Sequence, residues 1–164
     1  MLAIDTPLIP DSDIEVSGLT FQNGNASTPF GNVAGGLRIG DSGPISGGTI
    51  LVERNIFRNN VGTSAIGSSA AGGLVAATDG ESLVVRNNLF VDNRAAYSAA
   101  VVVYSNNAIA VSNNTFTGNE STDTTLQQRV MAALQVSNGQ GARKRTPLVA
   151  PCRAFFHRAA RISA

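Results

Sequence analysis

The chain has very little of several residue types that would otherwise suggest a function. Cys152 is the only cysteine among 164 residues, which excludes a disulfide framework within the chain and a zinc site built from several cysteines. There is no tryptophan, and His157 is the only histidine, so a Ser-His-Asp or Cys-His catalytic set would depend on that one residue. No apolar run approaches the roughly 18–20 residues that span a membrane.

Charged residues are also scarce, at 14% of the chain, and their distribution divides it near residue 120. Residues 1–119 contain five arginines against nine acidic residues, a net charge of −4. Residues 120–164 contain seven basic residues against two acidic ones, a net charge of +5. The first residues lack the basic and apolar parts of a secretory signal. We therefore expect two parts of different character and no signal peptide in this chain.

A repeat dominates the first part. A valine stands five residues before a phenylalanine in four segments: Val16–Phe21, Val52–Phe57, Val85–Phe90 and Val111–Phe116. In the last three segments an asparagine stands two residues before the phenylalanine and another three residues after it: Asn55, Asn88 and Asn114; Asn60, Asn93 and Asn119. In the first segment Leu19 and Gly24 take these places. Short β-branched segments bounded by Gly, Asn, Ser and Asp predict strands.

A second strand motif lies between these segments. Gly35–Ile39 matches Gly72–Ala76 and, more loosely, Ala99–Val103. The valine-to-valine spacings of 36, 33 and 26 residues place the insertions in loops, as in a solenoid. Such strands bury their apolar faces by stacking in parallel about 4.8 Å apart.

The sequence therefore predicts an all-β fold, a right-handed parallel β-helix of about three to four coils over residues 14–119. The repeat valines and phenylalanines are expected to face inward in columns. Asn55, Asn88 and Asn114 are expected to form an amide ladder at a turn, where asparagine tolerates a positive φ. The Gly-Gly pairs are expected to mark a tight corner before the next strand.

These motifs resemble those of a known group of proteins. Gly36-Leu-Arg-Ile39, with Phe57-Arg-Asn-Asn60 and its equivalents at Phe90 and Phe116, is similar to the repeats of polymorphic outer-membrane-type proteins. It is also similar to the wider pectate-lyase-like β-helix superfamily of secreted bacterial proteins. The resemblance implies an extracellular or cell-surface location. That superfamily includes lyases, glycoside hydrolases and adhesins, so function must be argued from a site.

The resemblance also implies what a polysaccharide lyase would need: clustered carboxylates for Ca²⁺ and an Arg or Lys base on one strand face. Asp41 and Asp79 follow the Gly-Gly strands at nearly the same offset, and Asn106 takes the corresponding place one coil on. Stacked about 5 Å apart, their oxygens could share one cation. Alternatively all three are turn residues that bond the local backbone. Arg38 is either a base or a solvated surface arginine.

Two tyrosines, Tyr97 and Tyr104, are candidate platforms for a sugar ring, or else surface or half-buried structural residues. Charged residues flank the strand motifs, and Glu53 is expected near Arg86 of the next coil, where the pair would contribute a few tenths of a kcal/mol. No residue is predicted to be catalytic, and no cofactor is predicted apart from the candidate Ca²⁺.

The pattern changes after residue 120. Leu126, Val130 and Leu134 recur at helical spacing behind a capping box, which predicts a helix over about 125–136 that caps the last coil. Residues 120–140 are thus expected to be a capping helix and turn, and residues 141–164 a basic tail. The tail is a poorly ordered segment, a basic arm for nucleic acid or an anionic surface, or the product of a slipped reading frame. The poorly ordered segment is favoured, so nucleic acid is not an expected partner.

The expected function is that of a structural or interaction module. A short β-helix of a secreted or cell-surface protein would present its faces for adhesion or carbohydrate contact. The alternative is a fragment of a polysaccharide lyase or glycoside hydrolase. An enzyme should gather acidic and basic side chains on one outward strand face, whereas a display module should scatter them, and this sequence favours scatter.

Overall fold

The computed structural model describes residues 1–4, 13–28, 33–40, 48–64, 70–78, 82–96, 98–122 and 133–138. All regular structure in these ranges is β-strand. The strands are β1 (Leu2–Ile4), β2 (Ile14–Ser17), β3 (Thr20–Gln22), β4 (Asn25–Thr28), β5 (Val33–Ala34), β6 (Leu37–Ile39), β7 (Thr49–Glu53), β8 (Ile56–Arg58), β9 (Val61–Ser64), β10 (Ala70–Ala71), β11 (Leu74–Thr78), β12 (Ser82–Arg86), β13 (Leu89–Val91), β14 (Arg94–Ala95), β15 (Val101–Ser105), β16 (Ile109–Ser112), β17 (Thr115–Thr117), β18 (Glu120–Ser121) and β19 (Leu134–Asn138).

The strands stack in parallel, and each sheet collects one strand from every repeat. The Gly-Gly sheet has the order β1-β6-β11-β15-β19, the Val sheet β16-β12-β7-β2 and the Phe sheet β17-β13-β8-β3. A fourth sheet has the order β18-β14-β9-β4, and β5 pairs with β10. The predicted all-β fold of stacked parallel strands is confirmed, while the hand and the number of coils stay predictions.

The predicted columns of valine and phenylalanine are present in register. Val16, Val52, Val85 and Val111 pair from strand to strand along the Val sheet. The four phenylalanine rings stack with centroid separations of 4.9, 4.7 and 5.1 Å and interplanar angles of 10° or less. Phe57 and Phe90 are fully buried, and both belong to a core that also contains the inward residues of the Gly-Gly sheet. Burial of each such side chain stabilises the fold by about 1.5–3 kcal/mol.

The predicted asparagine ladder is confirmed. Asn88 Oδ1 accepts from the backbone N–H of Asn55 at 2.9 Å and from its Nδ2 at 3.1 Å, while Asn88 Nδ2 donates to the carbonyl of Val52 at 2.9 Å. Asn114 repeats this pattern one repeat on. Because every amide group finds a partner, these buried side chains carry little desolvation penalty.

A second ladder runs through the other set of repeated asparagines, for which the sequence analysis predicted no role. Asn93 Oδ1 accepts from Asn60 Nδ2 at 3.0 Å, and Asn119 Oδ1 accepts from Asn93 Nδ2 at 2.9 Å. Each Nδ2 also donates to a carbonyl of the preceding repeat, such as that of Phe57. The two ladders thus link successive repeats by hydrogen bonds at both corners that flank the Phe sheet.

The positive φ of each corner belongs to the residue before the ladder asparagine, not to the ladder asparagine as predicted. The corner residues have φ between 52° and 70°: Gly18, Arg54, Asn87 and Asn113 at the first corner, and Asn23, Asn59, Asp92 and Gly118 at the second. Gly, Asn and Asp adopt this left-handed conformation most readily. The ladder residues are asparagines because their amides must bond inward.

The Gly-Gly corner is tight, as predicted, because two backbones approach closely there. A Cβ on Gly36 would lie 2.5 Å from the carbonyl oxygen of Gly73, and a Cβ on Gly73 would lie 3.0 Å from the ring of Phe90. The glycines therefore allow one repeat to pack closely against the next and against the phenylalanine column.

The prediction of a helix over 125–136 is wrong at its C-terminal end. Leu134–Asn138 is β19, which pairs in parallel with β15 and places Leu134 beside Val101. Leu134 and Val136 pack on the core, since their alternate spacing matches the inward residues of β15. Leu126 and Val130 lie outside the described residues. The stack thus continues past residue 120, and it also begins before residue 14, where β1 pairs with β6.

Candidate functional site

The structure describes half of the residues proposed for a site. Arg38, Tyr104 and Asn106 are among the described residues, whereas Asp41, Asp79 and Tyr97 lie outside them. The geometry can therefore be given for one tyrosine, one amide and one arginine, all of which lie on or directly after the strands of the Gly-Gly sheet.

Tyr104 stands on the outer face of β15. Val101 and Val103 of this strand point into the core, so the alternation of the strand places Tyr104 on the opposite side. Its neighbours in register are small: Ala77 on β11 and Ser137 on β19. The tyrosine is half-buried, and its hydroxyl donates to Asn106 Oδ1 at 3.1 Å. An aromatic ring flanked by small side chains thus projects above the sheet.

Tyr104 and Asn106 together combine an apolar ring face with hydrogen-bonding groups. An aromatic side chain offers an apolar surface with a polar tip, which suits the apolar and hydroxyl-bearing sides of a sugar ring. Asn106 lies directly beside the phenol and has both amide donors and an acceptor oxygen. The structure therefore brings together Tyr104 and Asn106, which the sequence analysis had assigned to two different kinds of site.

Arg38 is not part of this arrangement. It lies on the outer face of β6 in register with Val75 of β11, and its Nη1 donates to the Gly40 carbonyl at 3.4 Å. The same column continues to Val102 of β15, two residues before Tyr104. In this column the described residues that follow Arg38 are the apolar Val75 and Val102.

These two valines belong to a second buried cluster on the outer side of the Gly-Gly sheet. Val75 is 0% exposed and Val102 is 3% exposed, and both pack with Ala34, Ala71 and Ala77. This cluster was not predicted from the sequence. Its signal was the unbroken apolar run in both strands, which is typical of a strand that is buried on both faces.

Several charged side chains of the described strands pair with a residue of a neighbouring repeat. Glu53, whose side chain is only 8% exposed, binds Arg54 Nη2 at 2.7 Å and Arg86 Nε at 2.6 Å. The predicted proximity of Glu53 and Arg86 is therefore confirmed. Arg94 pairs with Glu120 at 2.7 Å in the same way, and Arg58 donates to Gln22 of the preceding repeat at 2.7 Å.

The described residues contain no cluster of three or more His, Cys, Asp or Glu side chains arranged to hold a metal ion. Nor does the described part of the chain include a helix with the length and apolar character needed to cross a membrane.

Comparison with known proteins gives no family assignment. No family model, no curated protein and no solved structure matches this chain.

Proposed function

We propose that the chain is a structural or interaction module: a short right-handed parallel β-helix, of the pectate-lyase-like kind, within a secreted or cell-surface protein. Its outer faces serve adhesion or carbohydrate contact. The hand, the superfamily and the location follow from the resemblance of the repeats. The parallel stacking and the in-register columns support the architecture.

One observation carries the proposal, namely the pairing of acidic side chains with arginines of neighbouring repeats. Glu53 and Glu120 are each neutralised by an arginine of a neighbouring repeat. Side chains that are paired in this way hold successive repeats together. A polysaccharide-cleaving enzyme would instead gather an acid, a base and cation-binding carboxylates on one outward strand face.

Tyr104 is the proposed point of contact with a sugar, and Asn106 is its polar partner. A Ca²⁺ held by Asp41, Asp79 and Asn106 remains a secondary proposal. Asn106 Oδ1, the atom that would coordinate the ion, already accepts the hydrogen bond of Tyr104, so cation binding would have to accommodate this contact.

The test is binding of the folded chain to a panel of neutral and acidic oligosaccharides. Tyr104→Ala should weaken binding about tenfold or more, because stacking on a sugar is lost, whereas Tyr104→Phe should lose only the part that depends on the hydroxyl. A thermal melt of both variants controls for folding. Equal binding by wild-type and Tyr104→Ala protein would rule out this contact.

A second assay separates the module from the enzymatic alternative. We expect no cleavage of pectate, alginate or similar acidic polysaccharides, with or without added Ca²⁺. Unsaturated product that absorbs in the ultraviolet, formed above the blank and abolished by Arg38→Ala, would identify a lyase instead.

A further inference from the structure

The two asparagine ladders have a direction along the stack. In each ladder the side-chain oxygen accepts from the residue at the same place in the preceding repeat, as Asn55 Oδ1 accepts from the backbone N–H of Leu19 at 2.9 Å. The Nδ2 group also points back, since Asn55 donates to the carbonyl of Val16 at 2.8 Å. Each repeat therefore presents donors to the repeat that follows, and it is the following repeat that supplies the acceptor oxygen.

At the beginning of the stack, neither ladder position carries a side-chain amide. Leu19 and Gly24 occupy the ladder places, and their N–H groups donate to Asn55 Oδ1 and Asn60 Oδ1, both at 2.9 Å. An asparagine at either place would direct its Nδ2 toward a preceding repeat. At Gly24 no side chain fits, because a Cβ would lie 2.0 Å from the carbonyl oxygen of Gly35.

The other end is open. Asn114 and Asn119 accept from the repeat before them, and each Nδ2 donates to one carbonyl there. Among the described residues, neither backbone N–H has a hydrogen-bond partner, and neither Nδ2 makes the forward bond that Asn88 makes. In the part of the chain that the structure describes, β16, β17 and β18 are the last strands of their sheets, whereas β19 extends the Gly-Gly sheet by one strand.

The burial of the phenylalanine column does not distinguish the two ends. Phe57 and Phe90 are fully buried, while Phe21 and Phe116, the first and last rings of the column, are both half-buried. What distinguishes the end at Asn114 and Asn119 is its two sets of amide donors, which lie in fixed register.

These amide donors indicate which kind of segment can bind at this end of the stack. Residues 139–164 contain no asparagine, and Gln140 is their only side-chain amide, so they cannot continue both ladders. A second copy of this chain would present Leu19 and Gly24, which lack the acceptor as well. We infer that this end docks another parallel β repeat of the form Val-x-x-Asn-x-Phe-x-x-Asn, whose two asparagines accept from Asn114 and Asn119. This inference concerns the end of the stack and is independent of what its faces bind.

The register of β19 allows a direct test. Asn138 stands opposite Ser105, and Ser105 stands opposite Thr78, so a copy of residues 79–96 inserted after Asn138 continues the chain in register. The insertion is made in the full chain, with residues 139–164 retained. A matched control carries Asn88→Ala and Asn93→Ala within the copy only.

The readout is hydrogen exchange of the backbone amides of Asn114 and Asn119, together with the melting temperature. The intact copy should slow the hydrogen exchange of both amides at least about tenfold and raise the melting temperature by several degrees. The control copy should slow the exchange less and raise the melting temperature less. Equal protection by the two copies would overturn the proposal. So would a concentration-dependent dimer of the unmodified chain that protects the same amides, because the occupant would then be a second copy.

A second insertion guards against a copy that does not fold. Residues 106–122 follow Ser105 and carry their own ladder asparagines, so this shorter copy also continues in register after Asn138. If neither insertion slows exchange at Asn114 and Asn119, the end is not a docking surface for such a repeat.

Discussion

At the scale of single residues, the two corners beside the Phe sheet have different requirements at adjacent positions. The first position needs a residue that tolerates φ near +55°, and the next needs an inward amide. Arg54 is the departure at the first position, since the other corner residues are glycine, asparagine or aspartate. A left-handed conformation costs about 1–2 kcal/mol for a residue with an ordinary side chain.

Replacing Arg54 by asparagine should therefore stabilise the protein. The relieved backbone strain outweighs the loss of the ion pair with Glu53, because Glu53 keeps its pair with Arg86. Arg54→Asn should therefore raise the free energy of unfolding by about 0.5–1 kcal/mol in urea denaturation. Gly18→Ala is the matched control at the same corner, because the added Cβ meets nothing within 4 Å and only strain changes. That variant should lose about 1 kcal/mol. A neutral Gly18→Ala would show that the corner is not strained.

At the ladder position, substitution should affect stability through lost hydrogen bonds and not through backbone strain. Asn88→Ala removes the acceptor for two donors of Asn55 and the donors to Val52 and Asn114. Each buried group left without a partner costs about 1–3 kcal/mol, so the loss in chemical denaturation should be about 3 kcal/mol or more. Leu19→Ala, at the same place in the first repeat, keeps the backbone bond to Asn55 and removes only an exposed side chain, so it should change stability much less. Similar losses for the two variants would contradict the ladder account.

At the scale of elements, the phenylalanine column shows how one strand depends on the next. Phe57 has a ring on each side, whereas Phe21 at the start of the column has one neighbour and is half-buried. Phe57→Ala should cost about 3–5 kcal/mol, because the cavity falls within a continuous stack. Phe21→Ala should cost clearly less, as judged from denaturation midpoints. Equal costs would mean that the rings do not form one column.

The sequence predicted these columns because the repeat determines both the spacing of the residues and the face of the strand on which each side chain lies. Val85 and Phe90 lie five apart with one corner between them, and the same arrangement recurs at Val52 and Phe57. The helix prediction was wrong at Leu134, where a short apolar pattern fits both a helical stripe and a strand. What decided the outcome was a distant partner, β15, whose edge was available for pairing.

The site was less predictable than the core. Tyr104 could be recognised as an outward aromatic residue, but its bond to Asn106 depends on the chain direction after β15, which no repeat fixes. The apolar cluster around Val75 and Val102 was missed because the repeat suggests two faces per strand, one inward and one exposed. Burial of both faces depends on the rest of the chain and not on the strand alone.

At the scale of the whole molecule, the stack has a direction. Its columns of valine and phenylalanine run through all four repeats and its asparagine ladders through the last three, while Glu53 binds Arg86 of the next repeat. Stability in such a molecule depends on nearest neighbours along the stack, so the ends determine what can be added. The start is closed by Leu19 and Gly24, and the other end carries donors in register.

In-register parallel stacking is the central claim, and disulfide trapping tests it most directly. Leu89 and Thr115 stand opposite each other on the outer face of the Phe sheet, while Thr117 lies two residues further along the same strand. Adjacent strands lie about 4.8 Å apart, within the Cα separation that a disulfide allows, whereas the diagonal pair is about 8 Å apart and outside it.

The measurement is the fraction of cross-linked chain, found by mass spectrometry after mild oxidation, in a background that carries Cys152→Ser. The pair Leu89→Cys with Thr115→Cys should form a disulfide readily, and the pair Leu89→Cys with Thr117→Cys should not. Preferential cross-linking of 89 to 117, or no cross-link from 89 to either position, would contradict the register on which the whole account depends.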